Sequence, residues 1–347
     1  MLKNWRPLSL LNTDYKILTK SLATRLQCIL DEVISYDQNG YIKNRFIGEN
    51  IRTIADVIEH TNKNNESGMI ALLDFEKAFD TVNWDFLQNT LCAFNFGDYF
   101  IKWIKIFYTD IQSCCLNNGH TTSFFSLSRG VRQGCPISAL LFILLAEVMA
   151  NKIKSRNDIH GITIDQHEIK ISQLADDTTL FLKDNNALLL ALEILESFQT
   201  CSGLKLNKNK TEIFYLGNTN HRPTNSAIKV ANEFKALGIY FSKNNDEMTY
   251  RNLEERLKKI ETILNIWRQR DLSLKGKITV LKSLAIPQLL YVTNVLHVPS
   301  TYVERVQKEI QSFVWNNKIP KIKTTTLIAD VARGGLKMPH FESSLKS

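Results

Sequence analysis

Three aspartates stand at the ends of apolar runs. Asp74 closes the stretch Met69 to Leu73, and Asp176 and Asp177 interrupt a second apolar region, Ile169 to Leu182. Adjacent carboxylates between apolar strands repel each other and destabilise the fold unless a cation neutralises them. A hard divalent ion with oxygen ligands is the natural partner. Two such ions about 3.5–4 Å apart stabilise both the attacking and the leaving oxygen of an in-line phosphoryl displacement. Asp74, from a separate strand, supplies the third carboxylate. An Asp-Asp pair at a hairpin tip is also an ordinary turn, so the pair alone leaves both readings open.

The elements that must position these residues follow from the hydrophobic pattern. Met69 to Leu73 is a short continuous apolar run and predicts a buried strand. Ile169 to Leu182 predicts two short strands around Ala175-Asp176-Asp177, and further strands are expected at 211–216 and 234–241. Helical spacing predicts helices over 14–34, 50–60, 84–94, 99–109 and 186–201, and a long apolar one from Ser138. Asn83 is placed to cap the helix at Trp84, with Asp80 beside it, and residues 113–128 predict a hairpin. Beyond 242 the pattern turns helical. Tyr250, Leu253, Leu257, Ile260, Leu264 and Trp267 mark an amphipathic helix, and helices follow near 274–285, ended or kinked by Pro287, and 301–315.

Composition narrows the class. The 44% hydrophobic and 22% charged content is that of a globular chain. No apolar run reaches the roughly 18–20 residues needed to span a bilayer, and the N-terminus lacks a secretory apolar stretch. An intracellular protein without membrane partners is expected. The six cysteines form no C-x-x-C pair and predict buried thiols in a reducing compartment. Residues 243–347 carry 18 Lys and Arg against 10 Asp and Glu, so the whole net charge of +8 lies there. Such a basic helical segment suits a polyanion, or presents solvated charged faces.

The wording of the motifs then becomes recognisable. Ala-Leu-Leu-Asp74-Phe-Glu-Lys-Ala-Phe79-Asp80-Thr-Val-Asn-Trp resembles motif A of reverse transcriptases. Arg129-Gly-Val-Arg-Gln133-Gly134-Cys-Pro136-Ile-Ser138 is similar to motif B, and Leu174-Ala-Asp176-Asp177 to motif C, with Leu174 where Phe or Tyr is usual. Arg6-Pro-Leu-Ser-Leu-Leu-Asn and Gln38-Asn-Gly40-Tyr-Ile-Lys-Asn-Arg45 resemble the finger motifs of non-LTR (LINE-type) retrotransposon reverse transcriptases. Leu204-Lys-Leu-Asn-Lys-Asn-Lys210-Thr resembles motif D, and Phe234-Lys-Ala-Leu-Gly238 the primer-grip motif E. The resemblance covers about residues 4–341, with seven motifs in the family's order.

The resemblance implies roles for these residues. Asp74, Asp176, Asp177 and the main-chain carbonyl of Phe75 would hold two Mg²⁺ ions. Phe79 would lie beneath the incoming sugar and exclude a 2′-hydroxyl. Gln133 and Gly134 would approach the nucleotide, the one by hydrogen bonding and the other by close backbone contact. Arg6 would meet the triphosphate, and Lys210 would assist near the leaving pyrophosphate. Lys16 and Arg45 read as solvated charges or template contacts.

The fold implied is α+β, a right-hand polymerase with an antiparallel palm sheet and a helical thumb. Partial fingers would occupy 1–68, the palm 69–242, and the thumb and connection 243–347. The partners implied are an RNA template, a DNA primer and a dNTP; no protein partner is implied. Two other readings use the same residues: a nucleic-acid-binding relic without catalysis, and an intron-maturase-like palm protein.

Overall fold

The computed structural model describes residues 8–217 and 228–345. The chain divides into two compact units, Met1–Asn232 and Glu233–Ser347.

The first unit is built on a five-stranded sheet. Its strands are β1 (Gly68–Leu73), β2 (Ile171–Leu174), β3 (Asp177–Leu182), β4 (Glu212–Leu216) and β5 (Lys229–Ala231), in the order β5-β4-β1-β3-β2. The ladders are antiparallel except the last, where β5 runs parallel to β4. β1 is central and almost wholly buried. That is why it reads as an unbroken apolar run instead of an alternating one. Its two faces meet different partners. Met69, Ala71 and Leu73 join a core with the helices Trp84–Ala93, Ser138–Lys154 and Asn185–Ser202. On the opposite face Ile70 stands in register with Phe181 and Phe214. The helix Ile47–Asn64, which buries Ile51, Ile54, Val57 and Ile58, packs against β2 and β4.

The helix Ser138–Lys154 is buried along nearly its whole length, as its composition requires. The one carboxylate within it, Glu147, is 2% exposed and accepts a hydrogen bond from Ser35 Oγ at 2.5 Å. The expected hairpin at 113–128 consists of two short ladders, Gln112–Ser113 with Phe125–Ser126 and Leu116–Asn117 with His120–Thr121. All six cysteines are free. Only Cys135 is buried, whereas Cys28, Cys92, Cys115 and Cys201 are exposed. The expectation of buried thiols therefore fails at most positions, because Cys92 and Cys201 lie on the outward faces of their helices.

The second unit begins with an antiparallel hairpin, β6 (Phe234–Ala236) and β7 (Ile239–Phe241). It turns on Leu237 and Gly238, both at positive φ. The sequence read this stretch as one strand; it is two, and they pack with the helix after them. Asn252, on the helix Asn245–Arg268, accepts from the Tyr240 N–H at 2.9 Å and donates to the Tyr240 carbonyl at 2.8 Å. Leu253, Leu257, Ile260 and Leu264 form the buried stripe of that helix. The segment expected as one helix near 274–285 is α-helical over Leu274–Val280 and widens to a π-turn over Leu281–Ala285. Pro287, with no N–H to donate, starts the next helix, Pro287–Thr293. Among the described residues no helix is long and apolar enough to cross a membrane.

Candidate active site

β1 leads directly into Asp74. The register pairs Leu72 with Thr179 and Leu73 with Thr178, so the next rung sets Asp74 opposite Asp177. Across the hairpin Leu174 pairs with Asp177, which leaves Ala175 and Asp176 at the tip. The two strands thus carry the three aspartates to one end of the sheet. Asp74 and Asp176 are half-buried and Asp177 is exposed.

Asp74 is held by the segment after the helix Asn185–Ser202. The Asn207 N–H donates to the Asp74 carbonyl at 2.7 Å, and Asn207 Nδ2 donates to Asp74 Oδ2 at 3.0 Å. The Asp74 N–H donates to Thr211 Oγ1 at 3.5 Å, and the Glu76 N–H to the Lys205 carbonyl at 2.8 Å. These backbone bonds flank an antiparallel bridge between Phe75 and Leu206. In a pair of that kind the bridged residues exchange no bond themselves, so the Phe75 carbonyl points away from Leu206.

Hard oxygen donors on neighbouring strand ends suit a divalent cation in chemistry. Their side chains are not gathered into a cage. Among the described residues no group of three His, Cys, Asp or Glu side chains is close enough to hold a metal ion. Like charges at rung distance repel, and one oxygen of Asp74 is engaged by Asn207.

The loop before the helix Ser138–Lys154 closes on the turn after Asp74. The Gly130 N–H donates to the Val82 carbonyl and the Val131 N–H to the Phe79 carbonyl, both at 2.7 Å. Trp84 Nε1 donates to the Gly130 carbonyl at 2.9 Å. Asn83 caps the Trp84 helix as expected, accepting from the Asp85 and Phe86 N–H groups. Asp80 does not join it; its Oδ1 accepts from Gln133 Nε2 at 3.4 Å. Gly134 has φ +102, which favours glycine. Phe79 stacks on Phe142 with ring centroids 4.6 Å apart and planes 16° from parallel. Behind the loop, burial pushes the phenols of Tyr15 and Tyr108 far above their ordinary range, so both are neutral hydroxyls. Tyr15 Oη lies 3.6 Å from Cys135 Sγ, and the Arg132 guanidinium lies 4.9 Å from the Tyr15 ring centre.

Two predictions follow from these contacts. Asn207→Ala removes a hydrogen bond to a charged group and keeps the backbone bond, so it should cost about 1–3 kcal/mol of stability with the fold retained. Urea denaturation checks it, and an unchanged midpoint would mean that the backbone alone fixes Asp74. At Gly130, φ is +93 and an added Cβ would lie 2.7 Å from the Asp80 carbonyl oxygen. Gly130→Ala should therefore cost about 2–3 kcal/mol. In thermal unfolding that corresponds to a midpoint roughly 5–10 °C lower.

The remaining site residues are scattered in role. Arg6 lies outside the described residues. Lys210 is exposed on the turn after Asn207, its N–H bonded to the Asn207 carbonyl at 3.0 Å. Lys16 lines a surface groove with Thr13, Lys20 and Pro136. Arg45 is neither solvated nor open to a template. Its side chain is 6% exposed and donates to the carbonyls of Ile34, Ser35 and Gln38 and to the carboxylate of Asp31. Glu76 pairs with Lys205 at 3.2 Å. Asn207, which meets Asp74, is a site residue that the sequence pattern does not single out; its one signal is its place in the stretch ending at Lys210.

Known proteins resemble this chain throughout. A family described as reverse transcriptase (RNA-dependent DNA polymerase) matches residues 2–241. A 149 kDa protein of transposon TX1 from Xenopus laevis is 30% identical over 329 residues, covering 92% of this chain and 25% of that protein. The Pol polyprotein of retrotransposable element R2DM from Drosophila melanogaster is 25% identical over 359 residues, covering 97% of this chain and 32% of that protein. The chain thus spans about a quarter to a third of these relatives' length. Among solved structures, a Candida tropicalis telomerase in complex with a fragment of telomeric RNA superposes with TM-score 0.53 at 12% identity, over 95% of this chain and 53% of that one. The RNA-dependent RNA polymerase of a human picorbirnavirus gives TM-score 0.50 at 14% identity, over 98% and 57%. At these identities the structures speak to fold alone, and the fold is the α+β right-hand polymerase. The relatives agree with the non-LTR wording of the motifs, and because the family match spans the larger part of the chain and includes motifs A, B and C, the chain belongs to the reverse transcriptase (RNA-dependent DNA polymerase) family.

Proposed function

We propose that this chain is the polymerase core of a non-LTR retrotransposon reverse transcriptase. It would extend a DNA primer along an RNA template by attack of the primer 3′-hydroxyl on a dNTP α-phosphate. The observation that carries this reading is the β1–β3 register, which sets Asp74 opposite the Asp176-Asp177 turn. Polymerases of this family work with divalent metal ions. Here Asp74, Asp176, Asp177 and the Phe75 carbonyl would hold two Mg²⁺ ions. Once bound, such ions neutralise charge on the attacking and leaving oxygens.

The chain's own residues would do the positioning. Phe79, backed by Phe142, would fill the space beneath the sugar. Gln133 and Gly134 would line the nucleotide from the loop that closes on the Phe79 turn. Lys210 and Arg6 would meet the phosphates. Fingers (1–68), palm (69–242) and thumb with connection (243–347) are the parts we assign. The basic thumb would hold template–primer through phosphates, without reading sequence.

Primer extension on poly(rA)/oligo(dT) with Mg²⁺, beside Asp176→Asn, tests the reading. Incorporation by the wild type and none by the variant is expected. Equal incorporation by both removes the metal site. No incorporation by folded wild-type protein that still binds the duplex makes the chain a binding relic.

A further inference from the structure

The residue before the two adjacent aspartates, Ala175, has φ +57, in the left-handed region that an L side chain rarely adopts. Both of its backbone polar groups are taken by one enclosed side chain. Gln38, 0% exposed, accepts from the Ala175 N–H through Oε1 at 2.8 Å and donates from Nε2 to the Ala175 carbonyl at 3.3 Å. The same Oε1 accepts from the Gly40 N–H at 2.8 Å. A side-chain amide carries an acceptor and a donor side by side, and this turn uses both.

The clamp is itself anchored. Gln38 forms a parallel bridge with Gln173 on β2. The Asn39 N–H donates to the Gln173 carbonyl at 2.9 Å, and the Gln173 N–H to the Asp37 carbonyl at 2.7 Å. Asn50 Nδ2 reaches the same Gln173 carbonyl at 2.9 Å. Arg45 holds the Gln38 carbonyl at 2.8 Å, and Lys154 holds Asp37 Oδ2 at 2.7 Å. At Gly40 an added Cβ would lie 2.4 Å from the Ala175 nitrogen, so the two segments touch backbone to backbone.

We propose that Gln38 is a positioning residue for the catalytic aspartates: it holds Ala175 left-handed and so sets how Asp176 and Asp177 face Asp74. The proposal rests on the reading that these aspartates bind the divalent ions, and its test separates the two. Amide hydrogen exchange over residues 171–182 is measured in the whole 347-residue chain, as wild type, Gln38→Leu and Gln38→Leu with Ala175→Gly. Mn²⁺ binding is measured on the same proteins by electron paramagnetic resonance, with Asp176→Asn as control.

Gln38→Leu should speed exchange in that segment, leave the helix Ser138–Lys154 protected, and weaken Mn²⁺ binding by about tenfold. Ala175→Gly should restore most of the affinity, since glycine takes this φ without steric cost. A side chain that merely filled space at 38 would not be rescued from 175. Unchanged exchange over 171–182 overturns the proposal. So does Gln38→Leu that binds Mn²⁺ as wild type does while Asp176→Asn does not. If Asp176→Asn also binds as wild type does, the metal-site reading falls, and the exchange result alone decides on Gln38. Should Gln38→Leu fail to fold, Gln38→Glu, which keeps the shape and loses the amide donor, is measured in its place.

Discussion

Asp74→Asn is expected to slow primer extension by about 10³-fold or more at saturating dNTP and Mg²⁺, with the fold intact. Asparagine has the shape of aspartate and lacks its charge. The amide can turn its oxygen toward Asn207 Nδ2, which donates to Asp74 Oδ2 at 3.0 Å in the wild type. The backbone bonds on either side of Phe75 do not involve the side chain at all. Stability should therefore stay within about 1 kcal/mol of wild type. On the proposed reading the loss should be in the chemical step, because the charge would act on oxygens whose own charge grows in the transition state. Single-nucleotide incorporation under single-turnover conditions, beside a thermal melt, measures both. A loss under tenfold in a well-folded variant would remove Asp74 from the chemistry.

The second large effect is expected in choice of substrate. Phe79→Val should raise ribonucleotide use by about 10–100-fold relative to deoxyribonucleotide, the range a few removed carbons supply in a packed pocket. The argument is steric. Phe79 lies one turn past Asp74, its backbone is tied by the Val131 N–H, and its ring is stacked on Phe142, itself deep in the core. Such a ring cannot swing aside for an extra hydroxyl without breaking the stack. Valine fills less of the space and leaves Phe142 in place. The ratio of kcat/KM for dGTP to that for GTP, on poly(rC)/oligo(dG), gives the answer. If the ratio is unchanged while both rates fall, Phe79 is a core residue and the selectivity lies elsewhere.

Residues whose role depends on their own neighbours in the chain were legible beforehand. The apolar run ending at Asp74 is a strand and Ala175-Asp176 is a hairpin tip, because burial on both faces demands unbroken apolar residues and a turn demands polar ones. Asn83 caps its helix for an equally local reason. What stayed hidden involves partners far apart in sequence. Asn207 meets Asp74 across 133 positions and Gln38 meets Ala175 across 137, and no periodicity reports such a contact. Arg45 misled for the same cause. A lone arginine beside polar residues looks solvated until the carbonyls of Ile34, Ser35 and Gln38 are folded around it. The hairpin of β6 and β7 misled differently: its apolar residues fit one continuous strand equally well, and it is Asn252 and Arg256, farther along the chain, that tie it to the helix that follows.

The strand order also dictates a schedule of synthesis. β1 ends at Leu73, yet both of its partners, β3 and β4, are encoded between residues 177 and 216. At ribosomal speeds of about 5–20 residues per second, the strand leading to Asp74 leaves the tunnel roughly 7–30 s before its last partner does. For roughly the first 5–22 s of that interval, until β3 follows it out, it is a bare apolar segment with unpaired N–H and C=O groups on both edges, the kind of stretch that recruits other nascent chains. The strand leading to Asp74, first of the sheet to be made, is the one that most needs chaperone cover while the ribosome works through roughly the next 140 residues.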